Sequence, residues 1–117
     1  MSDQRRRLGA AGENAVVAWY AAAGYEVLDR NWRCRDGELD LVVARDHVIV
    51  FCEVKTRRSD AFGAPVEAVT VSKQRRLRTL ALRWLADSGQ GGDLRFDVAS
   101  VRPGRGRLEV EVLEDAF

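Results

Sequence analysis

The sequence is poor in the residue types on which several protein classes depend. It contains two cysteines, two prolines and a single histidine in 117 residues. Cys34 and Cys52 do not have the spacing of zinc ligands, and we expect free thiols rather than a disulfide. With 46% hydrophobic and 32% charged residues, the composition also excludes fibrous and disordered chains. What remains is an ordinary globular protein.

Long hydrophobic runs are missing as well. The longest, residues 15–23 and 48–52, fall short of the roughly 20 residues that a membrane-spanning helix needs. The basic N-terminus is not followed by a clean signal core, because Glu13 and Asn14 interrupt it. We therefore expect a cytoplasmic protein with no membrane partner. The length predicts one domain over residues 1–117.

Neither sign of charge is in clear excess, but the charges are unevenly distributed. The formal net charge of +1 does not by itself indicate a nucleic-acid-binding protein. Residues 108–115 carry only acidic charges, whereas residues 72–85 carry only basic ones, namely Lys73, Arg75, Arg76, Arg78 and Arg83. A basic binding face is one interpretation of this pattern. A solvated helix face balanced by an acidic strand is the other.

Hydrophobic periodicity predicts an α/β fold. A first helix over residues 4–23 is indicated by the helical spacing of Leu8, Gly12, Ala15, Trp19 and Ala22. Three strands follow, at residues 26–33, 38–45 and 48–56. A second helix, capped by Ser72, runs to residue 86 and precedes strands at residues 94–101 and 108–113. This order predicts a mixed β-sheet flanked by helices.

The second and third strands are expected to form a hairpin with residues 46–47 as its turn. If Arg45 pairs with Val48, the same register places Asp40 opposite Glu53. Two opposed carboxylates are destabilising unless a cation lies between them. Mg²⁺ prefers carboxylate oxygens and keeps several waters, and Mn²⁺ is the other candidate. The hairpin therefore predicts a site for Mg²⁺ or Mn²⁺.

Strand alternation places Glu53 and Lys55 on the same face, so the lysine lies beside the predicted metal. This combination suits phosphodiester hydrolysis, in which the metal lowers the pKa of a water and offsets charge on the phosphate. The Lys55 ammonium can stabilise the phosphate or hold the attacking water. Glu13 would supply a third carboxylate if the first helix packs over this face.

Two simpler explanations stay open for the same residues. An acid and a base that alternate on a strand often form a solvated face, although Ile49 and Phe51 indicate that this face is buried. The register also sets Glu38 opposite Lys55, which predicts a plain cross-strand ion pair without catalysis.

Residues spread over the chain together resemble the YraN family of bacterial proteins. They are Gly12-Glu13, Asn31, GELDL at 37–41, FCEVKTR at 51–57, Phe62-Gly63, Lys73 and RFDV at 95–98. The resemblance extends from about residue 9 to 101. That family is similar to Holliday-junction resolvases and other PD-(D/E)XK nucleases, although Leu39 stands where the motif has proline. The resemblance implies a restriction endonuclease-like αβββαβ core.

The same resemblance implies roles for individual residues. Asp40 and Glu53 would be the metal acids, Lys55 the catalytic lysine and Glu13 the helix acid. The expected activity is a Mg²⁺- or Mn²⁺-dependent endonuclease acting on DNA, with branched or damaged DNA as candidate substrates. Contacts to the DNA phosphates are expected from basic residues, since phosphates need charge rather than base-edge geometry; we predict Arg57, Arg58, Lys73, Arg75 and Arg76.

Two other functions are compatible with the sequence. One is a DNA-binding module that keeps a nuclease fold without cutting. The other is a factor in RNA processing or at the ribosome, although no aromatic stacking motif favours it.

A homodimer is also expected. A paired cut in two DNA strands needs two sites, the chain has length for only one, and symmetric dimers are the commonest assemblies. Trp32, Phe62 and Phe117 are the candidate interface residues.

Overall fold

One five-stranded sheet with a helix against each face organises the chain. The computed structural model describes residues 3–57 and 69–117. In chain order the elements are α1 (Asp3–Ala22), β1 (Glu26–Cys34), β2 (Gly37–Arg45), β3 (Val48–Thr56), α2 (Val71–Ser88), β4 (Asp93–Pro103) and β5 (Leu108–Leu113). The predicted order of two helices and five strands is confirmed. Arg58 and Phe62, which the sequence analysis singled out, lie outside the described residues.

The sheet is mixed, as predicted. Its strand order is β1-β2-β3-β4-β5. β3 and β4 are parallel, and the other neighbours are antiparallel. A parallel pair needs a crossover, which is the connection that contains α2. This crossover places α2 across one face of the central strands.

Each face of the sheet has its own hydrophobic core. On the α2 side, Phe51 of β3 packs with Leu80 and Trp84. On the α1 side, Val50 of β3 packs with Val16. Because successive strand residues point to opposite faces, β3 is buried on both sides. The same alternation puts the side chains of odd-numbered β3 residues under α2.

The buried face of α1 is formed by Gly12, Val16 and Tyr20, which sets the rotation of the helix. Of the residues whose helical spacing predicted α1, Gly12 lies on this face, whereas Ala15 and Trp19 are only half-buried. Two contacts fix this rotation. The Tyr20 hydroxyl donates a hydrogen bond of 2.6 Å to the buried Asp97, and a Cβ on Gly12 would overlap the side chain of Thr56. The helix therefore needs glycine where it meets the end of β3.

The start of α2 is set by Thr70 and not by the predicted Ser72. Thr70 has an extended backbone, and its hydroxyl accepts a hydrogen bond of 3.2 Å from the backbone N–H of Lys73. Gly89, at φ 73°, ends the helix in the left-handed conformation that glycine favours. This start puts Lys73 in the first turn of α2.

Neither α1 nor α2, the helices of the described residues, is long and apolar enough to cross a membrane. The cytoplasmic location and the single domain stay predictions. Both cysteines are free thiols: Cys52 is buried and Cys34 half-buried.

Candidate active site

The regular pairing of the β2–β3 hairpin ends at the predicted site. The predicted register holds from the pair Arg45–Val48 to the pair Leu41–Cys52. Beyond that pair, a side-chain contact takes the place of the backbone hydrogen bonds between the strands. The Asp40 Oδ2 accepts a hydrogen bond of 2.9 Å from the backbone N–H of Val54.

Asn31, the β1 residue opposite Asp40, is left out of the pairing between β1 and β2. The register passes from Arg30–Leu41 to Trp32–Leu39, and between them Asn31 has a positive φ of 52°. Asparagine tolerates this backbone conformation better than most residues. Asp40 therefore lies where regular pairing ends on the β3 side and where a single pair is missing on the β1 side.

The structure brings Asp40 and Glu53 to one pocket between the sheet and α2. This acidic pocket has a volume of about 260 Å³ and is lined by Glu38, Asp40, Glu53, Lys73, Arg76, Leu77 and Leu80. The strands supply its acids, and α2 supplies its two basic side chains and its apolar floor.

Glu53 forms ion pairs with two lysines. Its Oε1 lies 3.3 Å from the Lys55 Nζ and 2.9 Å from the Lys73 Nζ. The Glu53 side chain is only 10% exposed, and each lysine side chain is 28% exposed. Glu53 is therefore paired with two ammonium groups, of which Lys73 also lines the pocket.

Burial and charge shift the titration of this cluster. Burial raises the pKa of Asp40 to about 7, with further contributions from repulsion by Glu53 and Glu13, while the Val54 hydrogen bond opposes the rise. Burial also lowers the pKa of Lys55, as does its contact with Lys73. For Lys73, burial acts downward, but its hydrogen bonds to Lys55 and Glu53 raise the pKa overall. A cation near Asp40 would relieve the repulsion that favours its neutral form.

Glu13 is not brought into the pocket. Because α1 packs on the opposite face of the sheet from α2, Glu13 reaches the site only at its edge. There its Oε1 accepts a hydrogen bond of 3.0 Å from the Asn31 side chain and lies 4.0 Å from Arg30. Within residues 3–57 and 69–117, no three His, Cys, Asp or Glu side chains are arranged to hold a metal.

The expected ion pair between Glu38 and Lys55 is replaced by other contacts. The Glu38 Oε2 lies 2.9 Å from the Arg33 Nε on β1, while Lys55 lies against Glu53. The physical reason is the opening of the hairpin beyond the pair Leu41–Cys52, which takes Glu38 and Lys55 out of register.

The basic residues predicted to contact phosphate fall in different places. Lys73 and Arg76 both line the acidic pocket. Arg75 is exposed on α2. Arg57 directly follows β3, where its backbone N–H donates to the Val101 carbonyl at 2.8 Å. Arg58 lies outside the described residues. Sequence reasoning missed the contact of Lys73 with Glu53, because it joins two distant elements.

Comparison with known proteins assigns a family. Residues 12–101 match the model of the family described as Uncharacterised protein family UPF0102. The chain belongs to the UPF0102 family. This match confirms the resemblance to the YraN proteins.

Relatives in this family match this chain over almost their whole length. A UPF0102 protein of Rhodococcus jostii is 50% identical over 112 residues, which cover 94% of this chain and 95% of the relative. One of Frankia casuarinae is 51% identical over 112 residues, with the same coverage of 94% and 95%. One of Symbiobacterium thermophilum is 48% identical over 114 residues, covering 96% and 97%.

A second polar cluster of this UPF0102 protein is buried on the α1 side. Asp97 of β4 is fully buried and accepts two hydrogen bonds of 2.9 Å from the Arg95 guanidinium. It also accepts from the Tyr20 hydroxyl and, at 3.0 Å, from the backbone N–H of Asp115. Burial raises the pKa of Tyr20 above its ordinary value. The cluster ties β4 to α1 and to the C-terminal segment, so its role is structural.

Two of the candidate interface residues are described, and each contacts its own chain. Phe117 stacks on Phe96 with ring centroids 5.2 Å apart, and the Arg78 guanidinium lies 5.4 Å from the Phe117 ring. Trp32 is half-buried against the α2-side core. The homodimer stays a prediction.

Proposed function

We propose that this UPF0102 protein is a divalent-metal-dependent endonuclease that hydrolyses phosphodiester bonds in DNA, with a PD-(D/E)XK-type core. The observation that carries the proposal is the convergence of Asp40 and Glu53 on one pocket where Lys55 and Lys73 contact Glu53. The chain order of one helix, three strands, a helix and a strand supports it. A module that only bound DNA would have no need for a buried acid with a raised pKa beside a second acid.

The residues of the acidic pocket fit Mg²⁺ or Mn²⁺. Asp40 and Glu53 offer hard carboxylate oxygens. Burial and repulsion by Glu53 disfavour the ionised form of Asp40, and a bound cation would offset both effects. Mg²⁺ is commonly held by one or two carboxylates, with waters and substrate phosphate filling the other positions. Two acids from the chain are therefore sufficient, and Glu13 is not required as a direct ligand.

The chain's own residues would bind and orient the reacting groups. A bound ion supplies charge that lowers the pKa of a water and offsets the charge that develops on the phosphate. Lys55 lies on the Glu53 side of the pocket, where its ammonium can hold the phosphate or orient the attacking water. Lys73 holds Glu53 in place through its 2.9 Å contact. The apolar floor of the pocket, formed by Leu77 and Leu80, excludes part of the solvent.

DNA affinity should depend on salt through the arginines of α2. Each duplex phosphate that a basic side chain neutralises adds about 0.9 to the slope of log affinity against log salt. Replacing both Arg75 and Arg76 with glutamine should therefore reduce the slope by about 1 to 2. Binding isotherms from about 50 to 200 mM salt measure this slope. Arg105→Gln, an exposed change in the turn between β4 and β5, is the control; an equal reduction there would move the DNA surface away from α2.

A cleavage panel tests the proposal itself. The purified protein and its Asp40→Asn variant are incubated with single-stranded, duplex, flap and four-way-junction DNA in Mg²⁺, Mn²⁺ or EDTA. We expect cleavage of at least one substrate by the parent in Mg²⁺ or Mn²⁺, and none in EDTA or by the variant. Tight binding without cleavage of any substrate would favour the non-cutting module. Cleavage that survives in Asp40→Asn would contradict the assigned site.

A further inference from the structure

A second groove adjoins the acidic pocket along the same helix. It has a volume of about 530 Å³ and is lined by Trp32, Arg33, Cys34, Arg83, Ala86 and Asp87. Two features join it to the pocket. Glu38 lines the pocket and pairs with Arg33 of the groove, and Leu80 of the pocket precedes Arg83 by one helical turn. We call this second cavity the Trp32 groove.

The Trp32 groove combines an aromatic ring with two guanidinium groups, each of which is paired with a carboxylate. The Arg33 side chain is 77% exposed and lies 2.9 Å from Glu38. The Arg83 side chain is 48% exposed and lies 2.6 Å from Asp36. A guanidinium has five N–H donors, and a carboxylate engages two of them in a bidentate pair. Donors of both arginines therefore remain for a ligand beside the indole ring.

The carboxylates around the groove favour a base over a phosphate. Arg33 pairs with Glu38 and Arg83 pairs with Asp36, and Asp87 lines the groove as well. Because these three acids outnumber the two arginines, a phosphate alone gains little there. A nucleobase has a π-face that stacks on tryptophan or on a guanidinium plane. Its exocyclic amino group can also donate to a carboxylate such as Asp87.

We propose that the Trp32 groove binds an unpaired nucleobase of a DNA strand whose phosphate lies in the acidic pocket. This inference rests on the proposed nuclease function and names its substrate class: DNA with a single-stranded segment beside the cut. Lys73 and Arg83 are ten residues apart on α2, which is about 15 Å at 1.5 Å per residue. At about 3.4 Å per nucleotide of a stacked strand, the bound base lies about four nucleotides from the phosphate.

Tryptophan fluorescence tests the groove without requiring cleavage. Oligothymidylate, the same length of abasic oligonucleotide, and a blunt duplex are each titrated into the protein in EDTA. Stacking of a base on Trp32 should quench its emission with oligothymidylate, but not with the abasic strand or the duplex. Trp32→Phe should abolish the quenching and keep the affinity, because phenylalanine still stacks. Trp19→Phe, a half-buried tryptophan on the α1 side, should leave the quenching unchanged.

A third variant measures the contribution of stacking to affinity. Trp32→Leu keeps an apolar side chain but removes the ring, and it should weaken oligothymidylate binding at least about fivefold while leaving abasic binding unchanged. Equal affinity for both strands in the parent protein, or quenching that persists in Trp32→Phe, would overturn the inference. Quenching without cleavage of any DNA would support the base site and contradict the nuclease. Cleavage without quenching would support the nuclease and contradict the base site.

Discussion

Replacing Lys55 with alanine should slow DNA cleavage at least about a hundredfold, the usual loss when one electrostatic contact to a transition state is removed. A protonated ammonium cannot be a metal ligand, so Mn²⁺ affinity should change little. Lys73 still contacts the same Glu53 oxygen at 2.9 Å, and the variant therefore does not leave a buried carboxylate without a partner. Single-turnover cleavage, with DNA affinity measured separately in EDTA, separates the two effects.

Two companion variants sharpen this experiment. Lys73→Ala removes the other lysine from Glu53 and should alter Mn²⁺ affinity more than Lys55→Ala does, since Lys73 positions the carboxylate. Lys55→Arg keeps the charge but not the compact ammonium, and it should recover only part of the lost rate. Parental cleavage by Lys55→Ala would show that Lys55 merely neutralises Glu53.

Without metal, Asp40 should make the protein less stable as pH rises from about 4 to about 7. Burial raises its pKa from the ordinary value of 3.8, which applies to the unfolded chain, to about 7 in the folded protein. Below the lower value both states are protonated, and the contribution of the neutral acid to stability is complete. Between the two values the unfolded state ionises while the folded state resists, so unfolding releases a proton. The free energy of unfolding then falls by an amount on the order of 2 to 4 kcal/mol.

The measurement is the difference in unfolding free energy between the parent and Asp40→Asn, followed by urea titration in EDTA from pH 4 to 8. The asparagine oxygen can still accept from the Val54 N–H, but it carries no charge, so the variant should become the more stable protein as pH rises. Asp46→Asn, in the exposed hairpin turn at φ 55°, is the control and should track the parent. A pH-independent difference for Asp40→Asn would contradict the raised pKa of Asp40.

The order of elements and the hairpin register could be predicted because they depend on local patterns. The strand alternation and the two-residue turn after Arg45 fix the pairing as far as Leu41–Cys52. The same local reasoning could not foresee that the hairpin opens there. That opening depends on the Asp40 carboxylate bonding to Val54 and on Asn31 leaving the regular strand conformation on the other side.

The less accurate predictions concern contacts between distant elements. The rotation of α1 is set by Tyr20 with Asp97 and by Gly12 with Thr56, pairs that share no periodicity in the sequence. For the same reason the position of Glu13 at the edge of the site, and that of Lys73 within it, required the packed structure. Charge pattern alone placed Lys73 on a DNA-binding face, whereas the crossover carries it onto Glu53.

Calorimetric titration with Mn²⁺ tests the central claim most directly, since it asks whether Asp40 and Glu53 hold a cation together. The titration is best made near pH 8, above the pKa of about 7 of Asp40. We predict a single ion per parental chain and affinity at least about tenfold weaker in both Asp40→Ala and Glu53→Ala. Glu109→Gln, an exposed change on β5, should bind as the parent does. Parental affinity in both site variants would contradict the account.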